Sequence, residues 1–218
     1  MKIAFLRHGP TEWNRQGRIQ GHTDIELSAE GAAKMAALRL PSTLETHRVF
    51  VSPLSRARQT AKLLGLSGEV GDARLMEQHW GEWEGLTREE IKARHGMDCF
   101  ERAGLAESFR PLGGESTAEL HTRVAHFLRD VAAGPLCGNG GDAVVVAHLG
   151  VLRAAYTLAT GWDMATPMPG DLDVSRILLL SLDPHGTPAI AALNVEFVPA
   201  QAADALIVGA GGSNSRTA

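Results

Sequence analysis

The segment "IAFLRHGPTEWN", residues 3–14, begins as a short apolar run and then places Arg7 and His8 side by side before Gly9. A run that is apolar at consecutive positions predicts a strand buried on both faces. The end of such a strand is a rigid mount for side chains. The rest of the sequence must explain why a cation and an imidazole stand together at this point.

Other stretches of the chain have the same apolar character. The predicted strands are "KIAFLR" (2–7), "RVFVS" (48–52), "AVVVAH" (143–148), "SRILLLSL" (175–182) and the less regular "IAALNVEFV" (190–198). Helical patterns lie between them. Strands that alternate with helices predict an α/β layer fold with a mostly parallel central sheet.

Capping signals mark where the helices begin and end. Ser28 predicts the start of a helix over "LSAEGAAKMAALRL", and Gly65 predicts the end of one over "SRARQTAKLLG". Capping-box spacing predicts the starts of two further helices, at Thr87 with Glu90 and at Ser116 with Glu119. Another helical pattern follows the strand at 143–148 directly. We expect one domain over residues 1–199 and a mobile tail, rich in Ala, Gly and Ser, over residues 200–218.

Composition narrows the classes of protein. The chain has 218 residues, of which 44% are hydrophobic, so one substantial core can form. Its two cysteines, Cys99 and Cys137, indicate neither a disulfide framework nor a zinc cluster, and we expect a reducing cytoplasm. No apolar run approaches the roughly 20 residues of a membrane helix. The N-terminus lacks the long apolar segment of a signal peptide.

Charge is unevenly distributed along the chain. Residues 1–62 contain ten Lys and Arg against five Asp and Glu, although the whole chain has 21 against 25 and a net charge of −4. The overall balance argues against a nucleic-acid binder. The basic N-terminal part indicates a local anion site, with uneven surface charge as the simpler alternative.

Cationic and imidazole side chains follow three of the predicted strands. Arg7 and His8 end the first, Arg56 lies in the first turn of the helix after the second, and His148 ends the strand at 143–148. Each residue alone is more often structural than functional. Because the carboxyl ends of parallel strands form the ligand edge of an α/β sheet, together they predict an anion pocket. The planar fork of arginine suits a phosphoryl group.

Five blocks of sequence carry a family resemblance. They are "LRHGPTEWN" with "GRIQGHTDIELSAEG", "SPLSRARQTA", "LMEQHWGEWEG", "PLGGES" and "VVVAHLGVLR". In this order and spacing the chain resembles the histidine phosphatase superfamily, also called the phosphoglycerate mutase-like family. "GRIQGHTDIELS" resembles its phosphatase branch, which includes α-ribazole phosphatases and broad-specificity phosphatases.

The resemblance implies a three-layer α/β/α sandwich and a phosphohistidine intermediate, and it assigns roles to individual residues. His8 is the implied nucleophile, and Glu77 is the implied proton donor to the leaving group. Phosphate contacts are implied for Arg7, Asn14, Gln20, Gly21, Arg56, His148 and Leu149. No metal or cofactor is implied, because a neutral imidazole is a competent nucleophile near neutral pH. Trp80 and Trp83 either desolvate Glu77 or belong to a core, and the sequence leaves the two readings even.

Two positions depart from the family pattern. Leu149 follows the second histidine where glycine is common, so its backbone N–H is available only if the site needs no positive φ. Pro10 stands where glutamate is common and stiffens the loop after Gly9. Neither change removes a group with an implied catalytic role.

Several functions remain open at this point. We expect a phosphomonoester hydrolase that acts on a small phosphorylated metabolite, and the alternatives are mutase-type phosphoryl transfer and a catalytically weak phospho-ligand binder. The chain contains no HExxH motif, so the sequence does not support a metallohydrolase. The region 96–114, the residues around 20–24, and His22 as a weaker candidate are expected to contact the leaving group, whose identity the sequence does not give. We expect no nucleic-acid or membrane partner, and a homodimer is left open.

Overall fold

The computed structural model describes residues 1–44, 48–96, 110–134, 141–163 and 168–201. The strands are β1 (Lys2–Arg7), β2 (Leu38–Arg39), β3 (Arg48–Val51), β4 (Val70–Gly71), β5 (Ala143–Ala147), β6 (Ile177–Leu182), β7 (Pro188–Val195) and β8 (Val198–Pro199). The helices are α1 (Glu12–Arg15), α2 (Ala29–Ala36), α3 (Ser55–Leu63), α4 (Arg88–His95), α5 (Thr117–Ala132) and α6 (Leu149–Thr160). Short 3-10 turns occupy Ser42–Leu44, Ala73–Leu75 and Gly81–Trp83.

The central sheet has six strands in the order β4-β3-β5-β1-β6-β7. Pairing is parallel from β4 to β1 and antiparallel at β6 and β7. The prediction of a mostly parallel sheet is confirmed. The sequence does not reveal the direction of β6, because a strand that is buried on both faces looks the same in either direction.

Alternating side chains of β1 build two separate cores. Ile3 and Phe5 pack into one cluster with α5 and α6, whereas Ala4 and Leu6 pack into another with α2 and α3. All four β1 residues are fully buried. The period of two along the strand therefore places a helical layer on each face. The α/β/α prediction is confirmed.

The capping predictions agree with the structure. The Ser28 hydroxyl accepts from the Gly31 N–H at 3.0 Å, and both predicted capping boxes are present. One predicted boundary is wrong: the helix that opens at Ser28 ends at Ala36 rather than near residue 40. The next residues leave the helix because Leu38 and Arg39 pair with β8.

The predicted last strand, 190–198, is also shifted. The structure has β7 at Pro188–Val195 and a separate short strand, β8, at Val198–Pro199. Asn194, the one described residue other than glycine with a positive φ, lies just before this break. The predicted tail lies outside the described residues except for its first two positions, as do Cys99 and Cys137. No described helix is long and apolar enough to cross a membrane.

Parallel pairing brings three strand ends to one edge. β5 pairs with β3 on one side and with β1 on the other. The pairing extends past the strands, because the His8 N–H donates to the Ala147 carbonyl at 2.9 Å and the Ser52 N–H donates to the Val146 carbonyl at 3.0 Å. The residues after β1, β3 and β5 are therefore held side by side.

Phe127 on α5 packs edge-to-face against Phe50 on β3, with ring centroids 5.3 Å apart. A substitution in this pair tests the packing of the main core. Both rings are fully buried. We expect Phe127→Ala to lower the free energy of unfolding by about 3–5 kcal/mol, because it removes a large buried side chain and leaves a cavity. Thr122→Ala, exposed on the same helix, is expected to change it by less than about 0.5 kcal/mol. Urea denaturation measures both, and equal effects would contradict this packing.

Candidate active site

His8 is held in one orientation and one tautomer. Its side chain is buried, and its Nδ1 lies 2.7 Å from the Gly9 carbonyl oxygen. A carbonyl only accepts, so Nδ1 carries the proton and Nε2 keeps its lone pair. The Gly9 N–H donates to the Thr60 hydroxyl at 2.9 Å, which ties this loop to α3. The Nε2 atom of His8 therefore keeps an available lone pair.

His148 lies next to His8, with ring centroids 5.1 Å apart. Its Nδ1 accepts from Arg56 Nε at 3.3 Å, and its Nε2 lies 2.7 Å from the Ser52 hydroxyl. Nε2 therefore carries the ring proton and donates to Ser52 in this arrangement. Both ring nitrogens of His148 are thus occupied, so a contact with a phosphoryl oxygen requires one of these two partners to be exchanged.

Arg56 is fully buried in the first turn of α3. Its guanidinium donates to the Gly21 carbonyl at 2.7 Å and to the Thr23 carbonyl at 2.9 Å, in addition to His148. Arg7, at the end of β1, is partly buried, and its Nε is buried without a hydrogen-bond partner. A buried donor without a partner is costly, and an anionic ligand would satisfy it.

Burial and neighbouring charge keep both imidazoles neutral. Burial, reinforced by Arg7 and Arg56, lowers the pKa of His8 to about 3. Burial, then His8 and Arg56, lowers the pKa of His148 well below its ordinary value. Both rings are therefore uncharged at neutral pH. The positive charge of the site belongs to the two arginines.

Glu77 joins this group from the segment after the turn at Ala73–Leu75. Its Oε1 accepts from the Gln78 N–H at 2.8 Å and from the Gly150 N–H, in the first turn of α6, at 2.9 Å. Its backbone carbonyl accepts from Arg123 at 3.0 Å and lies 2.8 Å from His22 Nε2. One carboxylate oxygen and the backbone carbonyl of Glu77 are therefore both held, near the N-terminus of α6.

The loop at 20–24 is organised by a carboxylate that sequence reasoning missed. Glu84 accepts from the His22 N–H at 2.9 Å, from the Thr23 N–H at 2.8 Å and from the Thr23 hydroxyl at 2.6 Å. It also accepts from the Trp80 N–H at 3.1 Å. Because Gly21 and Thr23 hold the Arg56 guanidinium, Glu84 sets the direction of Arg56 through this loop. The only sequence signal was its place in the third block.

The remaining predicted phosphate contacts lie around this centre. Gln20 is buried with its Oε1 unpartnered, and Gly21 has φ +55 at a position where a Cβ would clash with the Glu84 carboxylate. Asn14 closes a capping box in which its Oδ1 accepts from the Thr11 N–H and hydroxyl at 3.0 Å, which leaves its amide N–H groups to donate. A cavity of about 250 Å³ opens beside Arg7, His8 and Asn14.

The two departures from the family pattern are accommodated. Leu149 has no positive φ and begins α6, where backbone N–H groups have no partner within the helix. Pro10 is exposed, and its carbonyl accepts from the Ser28 N–H at 3.0 Å at the start of α2. The backbone of Leu149 is therefore able to donate without strain.

The two tryptophans belong to a small apolar cluster. Trp83 is buried with Ile91. Trp80 stacks on Trp83, with ring centroids 5.7 Å apart and ring planes inclined by 10°. Ile19 and Leu86 pack against the same cluster. Of the two readings left open by the sequence, these contacts favour the core. His22 stacks on His79 with centroids 4.5 Å apart and supports the Glu77 backbone.

The lowered histidine pKa values predict a specific sensitivity to acid. Below pH 6.5 the unfolded chain takes up a proton at each histidine, while folded His8 stays neutral until about pH 3, so stability falls as pH drops through this window. We expect His8→Asn to remove up to about 1.4 kcal/mol per pH unit of this loss, and His148→Asn to act in the same direction. Urea titrations at pH 7, 6 and 5 in phosphate-free buffer measure it. Parallel curves for wild type and variants would contradict the assignment.

A substitution of Glu84 is expected to weaken anion binding. Glu84→Gln removes the charge and turns an amide N–H₂ toward backbone donors, so the 20–24 loop and Arg56 lose their fixed direction. We expect inorganic phosphate to bind about tenfold more weakly, measured by calorimetry at pH 7. Glu82→Gln, exposed in the same turn, is the matched control and is expected to bind within about twofold of wild type. A Glu84→Gln protein that melts earlier but binds phosphate normally would show a structural role only.

The chain is similar to known proteins over most of its length. The family model for the histidine phosphatase superfamily (branch 1) matches residues 3–196. Phosphoglycerate mutase-like protein 4 of Arabidopsis thaliana is 33% identical over 72% of this chain and 70% of its own length. Phosphoserine phosphatase 1 of Hydrogenobacter thermophilus is 31% identical over 76% of this chain and 79% of its own length.

A solved structure is similar over most of the chain. The mycobacterial glucosyl-3-phosphoglycerate phosphatase in complex with VO3 superposes with a TM-score of 0.73 at 27% identity. The match covers 89% of this chain and 99% of that one. Relatives of the chain thus include proteins named as phosphatases and as mutase-like. On the extent of the family match and of these similarities, the chain belongs to the histidine phosphatase superfamily.

Proposed function

We propose that this protein is a metal-independent phosphomonoester hydrolase that acts through a phosphohistidine on His8. The observation that carries the proposal is the fixed His8 tautomer, with Nδ1 hydrogen-bonded to the Gly9 carbonyl and a lone pair on Nε2, in a ring that lies beside His148 and in the field of Arg7 and Arg56. An uncharged nitrogen nucleophile surrounded by cations is the arrangement that attack on a phosphate dianion requires.

In the first step, Nε2 of His8 attacks phosphorus and the bond to the ester oxygen breaks. Arg7 and Arg56 stabilise the charge on the phosphoryl oxygens, and the N–H groups at the start of α6 add to this field. Glu77, in its protonated form, gives its proton to the leaving oxygen, so that the product departs as a neutral alcohol. The fixed position of its carboxyl group beside Gly150 suits this transfer.

In the second step, water takes the place of the alcohol. Glu77 is now a carboxylate and removes a proton from the water, whose oxygen attacks phosphorus as the bond to His8 Nε2 breaks. Inorganic phosphate leaves, and His8 and Glu77 return to their starting forms. Dividing the transfer in this way replaces one difficult displacement by two easier ones.

Hydrolysis is preferred over mutase-type transfer. A mutase must retain the phosphoryl group and exclude water, and mutase members resemble one another in a long basic insertion between the third and fourth blocks. Here that stretch is short, and its basic residues are nearly balanced by acids. Relatives named for phosphoserine and glucosyl-3-phosphoglycerate are phosphatases, which supports the same choice. We propose a small phosphorylated metabolite as substrate and the cytoplasm as location.

Removal of the nucleophile tests the reaction. Wild type is expected to release inorganic phosphate from a panel of α-ribazole phosphate, 3-phosphoglycerate and p-nitrophenyl phosphate in the presence of EDTA. His8→Ala is expected to lose at least about a thousandfold in kcat, because the residual reaction has no covalent route. Phosphate release that survives in His8→Ala would contradict the mechanism. Release abolished by EDTA would indicate a metal-dependent reaction.

The double role of Glu77 gives a second test. Nitrophenolate leaves without a proton, so Glu77→Gln is expected to keep the first step with p-nitrophenyl phosphate and to lose about a hundredfold or more in the second. Stopped flow should then show a burst close to one equivalent per site, followed by slow turnover. The 3-phosphoglycerate reaction should show no burst, since its alkoxide needs the proton. Equal losses without a burst would assign Glu77 a different role.

A further inference from the structure

Arg153 on α6 is a cation that the proposed reaction does not use. It lies three residues after Gly150, whose N–H donates to the Glu77 carboxyl group. Residues three apart on a helix share a face, about 4.5 Å apart along the axis. Arg153 therefore lies on the same face of α6 as the residue that holds Glu77, and its charge interacts with that of Glu77.

The Arg153 side chain is partly buried, and its polar atoms are incompletely satisfied. Its Nε is buried without a hydrogen-bond partner, and within the described ranges no carboxylate pairs with its guanidinium. The group lies over the Trp162 ring, 5.3 Å from the ring centroid, which limits its movement. Thr157, one turn further on the same face, likewise has a buried hydroxyl without a partner. Polar groups without partners on one face of a helix indicate a place for a polar ligand.

The local charge has a definite sign. Burial lowers the pKa of Arg153, while Glu77 raises it and Arg88, on α4, lowers it. When Glu77 is protonated for the first step, no described carboxylate remains to balance Arg153. An oxyanion at this position would then supply both the missing charge and a hydrogen-bond acceptor for the guanidinium.

We propose that Arg153 is a selectivity residue that binds a second oxyanion, a carboxylate or a second phosphate, carried by the leaving part of the substrate. The inference rests on the proposed function, because it assumes a leaving group beside Glu77. It extends that function by naming a substrate class: phosphomonoesters with a second negative group a few bonds from the ester oxygen.

Matched substrate pairs test this assignment. The pairs are 3-phosphoglycerate with glycerol 3-phosphate, which differ by a carboxylate, and fructose 1,6-bisphosphate with fructose 6-phosphate, which differ by a phosphate. Arg153→Gln is expected to lower kcat/KM for a member with the extra anion by about ten- to a hundredfold, and for its partner by less than about threefold. Loss in the first pair alone identifies a carboxylate, and loss in the second alone identifies a phosphate.

Two further variants keep the test decisive. Arg129→Gln removes an exposed arginine beside the turn at His185–Thr187, at the opposite end of the sheet, and is expected to alter neither pair. Arg153→Lys keeps the charge without the planar fork and is expected to retain part of the preference, also if Arg153→Gln does not fold. Equal losses within each pair, or none, would overturn the inference while wild-type phosphate release upholds the proposed function. Absence of release by wild type from all four compounds would overturn the proposed function itself.

Discussion

His8 and His148 are buried with their rings 5.1 Å apart, in the field of the fully buried Arg56 and the partly buried Arg7. Placing cations in such surroundings is costly, and a protonated imidazole there would be costlier still. The rings are therefore neutral, and the arginines carry the charge. In the proposed reaction, the nucleophile and the charge stabilisers are therefore different residues of one cluster.

The surrounding structure can be read as the support of this cluster. Parallel pairing of β5 with β3 and β1 sets the spacing of Ser52, His148 and His8. The carbonyls of Gly21 and Thr23 occupy part of the Arg56 guanidinium and direct the remainder. Glu84 in turn fixes the backbone that carries these carbonyls. Since each contact joins segments distant in sequence, the site is assembled only in the complete fold.

Local sequence signals predicted the parts of the fold that depend on local chemistry. The apolar runs of β1, β3 and β5, the helix start at Ser28 and both capping boxes are set by residues a few positions apart. Since parallel strands end at one edge, the convergence of Arg7, Arg56 and His148 also followed from the pattern. The two-residue strands β2, β4 and β8 could not be predicted, because so short a segment has no periodicity and depends on a distant partner.

One physical reason explains why the sequence did not indicate several residues around the candidate site. Glu84 and Arg123 act on backbone groups of loops far away in sequence, and Ser52 acts on a ring nitrogen across the sheet. Because the two partners of such a contact are far apart in the chain, they produce no recognisable spacing in the sequence. The family resemblance indicated Glu77 and Asn14 as candidate site residues. Their positions relative to the predicted strands would not have indicated them. The same resemblance gave no role to Arg153, which became visible only through its unpartnered Nε.

The most direct test of the central claim is long-range ¹H–¹⁵N NMR of the histidine rings between pH 7.5 and pH 5. We expect His8 to stay neutral over this range, with its proton on Nδ1 and an unprotonated Nε2. A His8 ring that titrates near pH 6.5, or one with its proton on Nε2, would show that the nucleophile is not prepared as described.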